Sequence, residues 1–375
     1  MTSYFATCAR GLEQILAGEL TGLGANEVAP GRGGVRFQGD SALLYRANLW
    51  LRTAIRVLRP VLEAEVHSPD QLYDAVRTIN WADFLTPDHT LAVDCNVRDS
   101  AITHSQYASR RVKDAICDQF RERLGIRPSV DPEQPMVGFN LHIFRDRATL
   151  SLDSSWESLH KRGYRPIQTI APLNEALAAG LLLQAGWTPH TPLVDPFCGS
   201  GTFCIEAAWM ALNRPPGLTR KWFGFQGWPE FDRPLWNAIR DDARDGMLKE
   251  LPAPIEGSDV HPGALELARL NAGNAGVGHL VKLERHDVSH ARPPAGCPPG
   301  ILIVNPPYGE RIGEEKEWIP LHVKLGNVVE KYWPGWRLFV FTSNDRLARK
   351  VGLKVRGRVP FFNGSLECQL WEYGT

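Results

Sequence analysis

The periodicity of apolar residues changes several times along the chain. It predicts a strand at residues 3–8, an amphipathic helix at 11–23, a strand at 34–37, a helix at 40–51 capped by Asp40 and a strand at 54–65. That order suggests a small α/β sandwich. A second unit begins near Ser68-Pro69, a natural cap and first-turn pair for a helix to residue 79. It continues through a strand at 90–97, a long helix at 106–124 and paired strands at 137–144 and 148–152. Beyond residue 190 four short strands follow, each with chemically distinctive residues at its carboxyl end.

The last of these is the most informative. An apolar run, Ile301 to Val304, delivers Asn305-Pro306-Pro307-Tyr308. A planar exocyclic amine is a poor nucleophile, because its lone pair is delocalised. It can attack a methyl group only if its two N–H bonds are held while the lone pair faces the incoming carbon. The Asn305 side-chain oxygen and the carbonyl of Pro306 can accept those protons, the rigid Pro-Pro fixes the carbonyl's direction, and Tyr308 can stack on the base. Taken alone, the motif could also be a strand ending in a proline turn, the weaker of the two readings.

A second motif changes the balance. Leu193-Val194-Asp195 feeds Pro196-Phe197-Cys198-Gly199-Ser200-Gly201-Thr202 and then a helix-forming run, a layout that lets a nucleotide-like ligand approach bare backbone. The third glycine of a dinucleotide fingerprint is missing and no Gly-Lys-Ser/Thr follows, so a ligand without a pyrophosphate is favoured. Asp195, Phe197, Gly199 and Gly201 would shape this loop. Asp259, at the end of the next strand, could accept two ribose hydroxyls. It stands too far after Asp195 for the roughly 20-residue dinucleotide spacing, so an insertion intervenes. A third strand at 281–288 is expected to bring Asp287 to an adenine amine. Four strand ends of this kind indicate an S-adenosylmethionine-dependent methyltransferase, with Asn305 serving both the cofactor pocket and the acceptor.

The 375 residues leave room for two or three domains, and 43% hydrophobic with 22% charged residues suits a packed globular protein. The best apolar stretch, 176–187, is too short to span a membrane, and the first residues lack a secretory leader, so a cytoplasmic protein is expected. Seven scattered cysteines and 11 histidines without ligand spacing give neither a disulfide framework nor a metal site. With 42 basic against 42 acidic residues, nucleic-acid contact can come only from local clusters. The candidates are Arg110, Arg111 and Lys113 on the long helix, Lys161, Arg162 and Arg165 around Tyr164, and the six basic residues between Arg346 and Arg358. The insertion includes Arg220-Lys221-Trp222-Phe223-Gly224-Phe225-Gln226-Gly227-Trp228, either a lid near the target nucleotide or packing residues. Residues 171–175 and the helix after them could close over the cofactor's methionine end.

Over nearly its whole length the chain resembles the THUMP-domain class I RNA methyltransferases, and within them the enzymes of 23S ribosomal RNA guanine N2. The resemblance rests on Asn48-Leu49-Trp50-Leu51-Arg52-Thr53, Ser105-Gln106-Tyr107, Val112 to Ile116, Ser158 to Arg165, Asp195 to Thr202, Gly257-Ser258-Asp259, Asn305 to Arg311, Asn363-Gly364 and Glu367-Cys368. It implies an α/β chain with a ferredoxin-like domain at 1–60, a THUMP RNA-binding domain at 61–155, a linker and leading helix at 156–189, and a Rossmann-like methyltransferase domain at 190–375 with a seventh, antiparallel strand. It also implies a monomer that methylates guanine N2 in helix 74 of 23S RNA, free or in an assembly intermediate, without a membrane partner. Some relatives carry a second, guanine-N7 half, an activity expected to be absent here. Ser155-Trp156 stands where relatives often have Ser-Gly. Transfer RNA guanine-N2 methylation and a non-catalytic ribosome-assembly factor are the competing readings. Adenine-N6 DNA and glutamine-N5 protein methylation share the amine motif but would call for other accessory domains.

Overall fold

The computed structural model describes residues 1–166, 173–307 and 315–374. The chain forms two compact units, one of residues 1–7, 17–159 and 220–240, the other of residues 8–16, 160–219 and 241–375.

The first unit is built on one eight-stranded sheet. Its strands are β1 (Thr2–Cys8), β2 (Asn26–Gly31), β3 (Gly34–Gly39), β4 (Ala54–Glu65), β5 (Thr90–Arg98), β6 (Ser129–Val130), β7 (Val137–Phe144) and β8 (Arg147–Asp153), in the order β2-β3-β1-β4-β8-β7-β5-β6. The two expected N-terminal units therefore share a sheet, because the 12-residue β4 runs across the boundary between them and pairs antiparallel with β8. The caps form as expected. Asp40 Oδ1 accepts the Leu43 amide at 2.8 Å and Ser68 Oγ accepts that of Gln71 at 3.2 Å. β2 and β6 are additions that the pattern does not show, since as exposed sheet-edge strands they have no buried face to impose alternation.

Polar side chains tie this unit together. Buried Asn48 donates to Ser154 Oγ at 2.8 Å and accepts from Ser155 Oγ at 2.7 Å, while Glu19 accepts the amides of Arg52 and Thr53. Trp156 has φ +56, the left-handed conformation that glycine adopts freely, and Asp153 holds it there by accepting its amide at 2.8 Å. Its ring lies so close over Gly138 that an added Cβ would come within 2.2 Å of it. The aromatic insertion belongs to this unit as packing. Tyr45 stacks on Phe225 with centroids 4.5 Å apart, Phe225 meets Trp236 edge-on, and Gly224 lies against the Asp153 carbonyl.

The second unit contains β9 (Leu193–Asp195), β10 (Ile255–Asp259), β11 (Lys282–Arg285), β12 (Ile301–Val304), β13 (Arg337–Thr342), β14 (Lys354–Asn363) and β15 (Leu366–Gly374), in the order β11-β10-β9-β12-β13-β15-β14. The first five are parallel, and β15 runs antiparallel to both its neighbours, giving the expected seventh antiparallel strand. Val194, Leu302, Val304, Leu338, Val340, Trp333 and Trp371 share one buried cluster on this sheet. The strand order reverses at β9, so ligand chemistry is directed to the carboxyl ends of β9, β10 and β12. Among the described residues no helix is long and apolar enough to cross a membrane.

Candidate active site

Three strand ends and one turn build the site. At the end of β9 the Phe197 amide donates to Asp195 Oδ1 at 3.0 Å, and the Cys198 amide donates to the Ser258 carbonyl at 2.9 Å, fastening the loop to β10. Gly199 and Gly201 have φ of +52 and +82, a region side chains rarely enter. Gly257 is required for closeness. A Cβ there would meet Cys204 Sγ and Leu283 at 2.9 Å and Cys198 Cβ at 3.0 Å. Burial pushes the Asp195 carboxyl well above the usual range. The Phe197 hydrogen bond opposes this, and the negative Asp259 adds to it.

The half-buried Asp259 accepts the Gly199 amide on Oδ2 at 3.0 Å and the His261 amide on Oδ1 at 2.9 Å. A carboxylate has about four acceptor directions, so two remain for a ribose diol.

Asp287 departs from the expectation. β11 stops at Arg285, and Asp287 instead caps a turn at Val288–His290, accepting the Ser289 amide at 2.9 Å. Lys324 Nζ lies 3.3 Å from both its oxygens. Burial alone would raise this carboxyl, but Ser289 and Lys324 outweigh it and hold it below its ordinary value. A polar side chain at a turn satisfies its own backbone first, which ends the strand early.

β12 delivers Asn305. Its Oδ1 is buried and has no hydrogen-bond partner among the described residues, beside a buried Pro306. A buried, unpaired acceptor costs about 1–3 kcal/mol unless something else pairs with it. Among the described residues it is an acceptor left open to an external donor. Tyr308 lies outside the described residues, as do Ala171 and Pro172 of the segment expected over the methionine end. Positive-φ glycines where a ligand meets backbone, an oriented acid one strand away and an orphaned amide oxygen on the next strand together fit an S-adenosylmethionine site.

The basic candidates divide sharply. Arg162 is 1% exposed and pairs with the fully buried Glu206 at 3.5 Å, and Tyr164 donates to the same carboxylate at 3.2 Å while packing edge-on against Trp209. Arg165 is 9% exposed at its side chain and pairs with Glu175 at 3.3 Å. The structure thus corrects the reading of this stretch as an RNA surface. Its guanidinium groups answer buried carboxylates, and only Lys161 is exposed. On the helix Ser105–Leu124, Arg110 is exposed, Arg111 pairs with Asp70 at 2.8 Å and lies over the Tyr73 ring, and Lys113 pairs with Asp114. Glu206 and Lys324 are neighbours of the candidate site residues that sequence reasoning missed. One signal was available, a lone Glu206 in the otherwise apolar run Phe203 to Ala208.

Comparisons with known proteins point the same way. Residues 162–372 match the family model described as RMKL-like, methyltransferase domain, residues 3–58 match the RlmL ferredoxin-like domain and residues 66–153 match the THUMP domain. The protein slr0064 of Synechocystis sp., provisionally named an RNA methyltransferase, is 44% identical over 370 residues, 99% of this chain and 96% of that one. The ribosomal RNA large subunit methyltransferase K/L of Syntrophotalea carbinolica is 45% identical over 379 residues, 99% of this chain and 53% of its own, so the chain spans about half the length of that relative. Among solved structures, SMU.472, provisionally a methyltransferase and complexed with SAH, superposes with a TM-score of 0.90 at 31% identity, covering 100% of this chain and 98% of that one.

Proposed function

Because the chain belongs to the RMKL-like methyltransferase family and carries RlmL ferredoxin-like and THUMP domains, we propose that it methylates the exocyclic N2 of a guanine in 23S ribosomal RNA, in helix 74. The observation that carries the reading is the orphaned Asn305 Oδ1 at the end of β12. The names of the relatives support RNA, and that of the Syntrophotalea protein supports the large ribosomal subunit. The reading places the protein in the cytoplasm as a monomer with RNA as its partner.

When bound, S-adenosylmethionine supplies a methyl group on a positively charged sulfur. The residues of this chain do the rest. Phe197, Gly199 and Gly201 shape the cofactor loop, and Asp195 orients it through the Phe197 amide. Asp259 receives the ribose hydroxyls and Asp287 the adenine amine. Asn305 Oδ1 and the Pro306 carbonyl accept the two protons of guanine N2 and turn its lone pair toward the methyl carbon, with Tyr308 against the base. Orientation of this kind can supply on the order of 7–11 kcal/mol. No strong base is needed before attack, since the nitrogen's surplus proton becomes acidic only once the methyl has arrived and then passes to solvent. Arg110, Arg111, Lys113 and Lys161 remain the phosphate contacts of this reading.

The test is nucleoside mass spectrometry after incubation with labelled donor. Naked 23S RNA is expected to gain N2-methylguanosine, and a transfer RNA pool is not. Label in transfer RNA alone would overturn the ribosomal assignment. Label on adenine N6, or none on any RNA despite cofactor binding, would overturn the guanine reading.

A further inference from the structure

We infer that Arg165 is a positioning residue for the cofactor loop, fixing the Thr202 hydroxyl directly after Gly199-Ser200-Gly201 and so holding the loop in the conformation that receives S-adenosylmethionine. The inference rests on the cofactor part of the reading above and is independent of which RNA is methylated.

The guanidinium joins three segments of chain. Nη2 donates to the Leu173 carbonyl at 3.0 Å and to Thr202 Oγ1, and Nη1 lies 3.3 Å from Glu175 Oε1. Glu175 is the first residue of the helix Glu175–Gln184, and its side chain is 7% exposed. A planar fork of donors can serve three acceptors in fixed directions, which an ammonium on a flexible stem cannot. Thr202 opens the helix Thr202–Ala211, whose N-cap Gly201 is left-handed and has no side chain to cap with. Ser200 Oγ lies 3.4 Å from Thr202 Oγ1, and Asn271 Nδ2 donates to the Ser200 carbonyl at 3.0 Å.

The loop is therefore pinned at both ends, by Asp259 at Gly199 and by Arg165 at Thr202. Between them stand Ser200 and Gly201, and a glycine there would otherwise sample many conformations. Any ordering left undone in the free protein is subtracted from ligand affinity. Loss of the Arg165 to Thr202 contact should thus weaken cofactor binding although neither atom need touch the cofactor. RNA affinity should not change, since a side chain only 9% exposed and turned to Glu175, Leu173 and Thr202 is not presented to a phosphate.

The experiment measures S-adenosylhomocysteine binding by calorimetry and RNA binding over a salt series, both on the full chain. Thr202→Val removes the hydroxyl while keeping the shape and the Arg165 to Glu175 pair. It should raise the S-adenosylhomocysteine Kd by about 5–10-fold, the size of one net hydrogen bond, and raise the donor KM at unchanged kcat. Arg165→Lys keeps a charge opposite Glu175 but cannot span the three acceptors, and should produce a similar loss. The double variant should lose no more than either single one. RNA affinity and its salt slope should match wild type throughout. Wild-type S-adenosylhomocysteine affinity in a folded Thr202→Val protein would overturn the inference. So would an Arg165→Lys protein with weaker RNA binding and a shallower salt slope at unchanged S-adenosylhomocysteine affinity. Should Arg165→Lys fail to fold, Thr202→Val decides alone. If no RNA is methylated, the calorimetry still decides.

Discussion

Asp259 holds Gly199 in place: its Oδ2 accepts the glycine amide at 3.0 Å while its Oδ1 accepts the amide of His261. One carboxylate thus shapes the cofactor loop and the turn after β10 and has acceptor directions to spare. Asp259→Ala should lose both functions. Two charge-assisted bonds to a ribose diol imply a rise in the S-adenosylhomocysteine Kd of about 100-fold. Asp259→Asn keeps one acceptor and should fall between. Calorimetry showing wild-type affinity for the alanine variant would remove the ribose assignment.

Asn305→Ala should separate activity from stability. Its amide oxygen is buried and unpaired among the described residues, so its removal takes away an uncompensated cost rather than a contact. Turnover on 23S RNA should drop by about 10²–10³-fold, as for the loss of one preorganised partner of a reacting group. S-adenosylhomocysteine affinity should stay near wild type and the Tm should not fall. A variant that unfolds earlier and methylates normally would place Asn305 among the packing residues instead.

Asp195 predicts a pH dependence. Burial raises its folded-state pKa above the unfolded value, so the unfolded chain ionises first as pH rises, and stability is lost from about pH 4 up to the raised folded value. Below the unfolded pKa both states hold the proton and nothing is lost. Asp195→Asn can keep the acceptor for the Phe197 amide and has no proton to lose. The Tm of the variant relative to wild type should therefore grow between pH 4 and pH 8. A difference that stays constant across that range would mean that the Asp195 carboxyl titrates normally.

What could be read in advance depends on the reach of each interaction. Asp40 and Ser68 cap their helices through residues three positions away, so local chemistry announces them. Asp195 and Asn305 stand at or just after strand ends because apolar runs stop there, Asp259 closes the short strand Ile255–Asp259, and parallel topology brings those ends together. In the stretch from His160 to Arg165 the two arginines reach carboxylates far away in sequence. Arg162 is answered by Glu206 and Arg165 by Glu175, residues brought near only by the fold. A dense basic segment read without them looks like a surface. The strand expected to carry Asp287 stops at Arg285 for a related reason, since a carboxylate that caps the following turn draws the backbone out of the ladder.

Arg162 and Glu206 provide the sharpest discrimination between an RNA contact and a buried brace. With side-chain exposures of 1% and 0%, neither partner can recover its hydration if the other is removed. Breaking such a pair on one side costs about 3–5 kcal/mol, whereas replacing both partners with apolar residues of similar volume is often neutral. Arg162→Met should therefore lower the stability of the second unit by that amount in urea unfolding, and Arg162→Met with Glu206→Leu should recover much of it. Arg110→Ala, at an exposed position, should leave stability unchanged within about 0.5 kcal/mol. It should weaken RNA binding and reduce the salt slope by about one. An Arg162→Met protein as stable as wild type, with a reduced salt slope of its own, would return this arginine to the RNA interface.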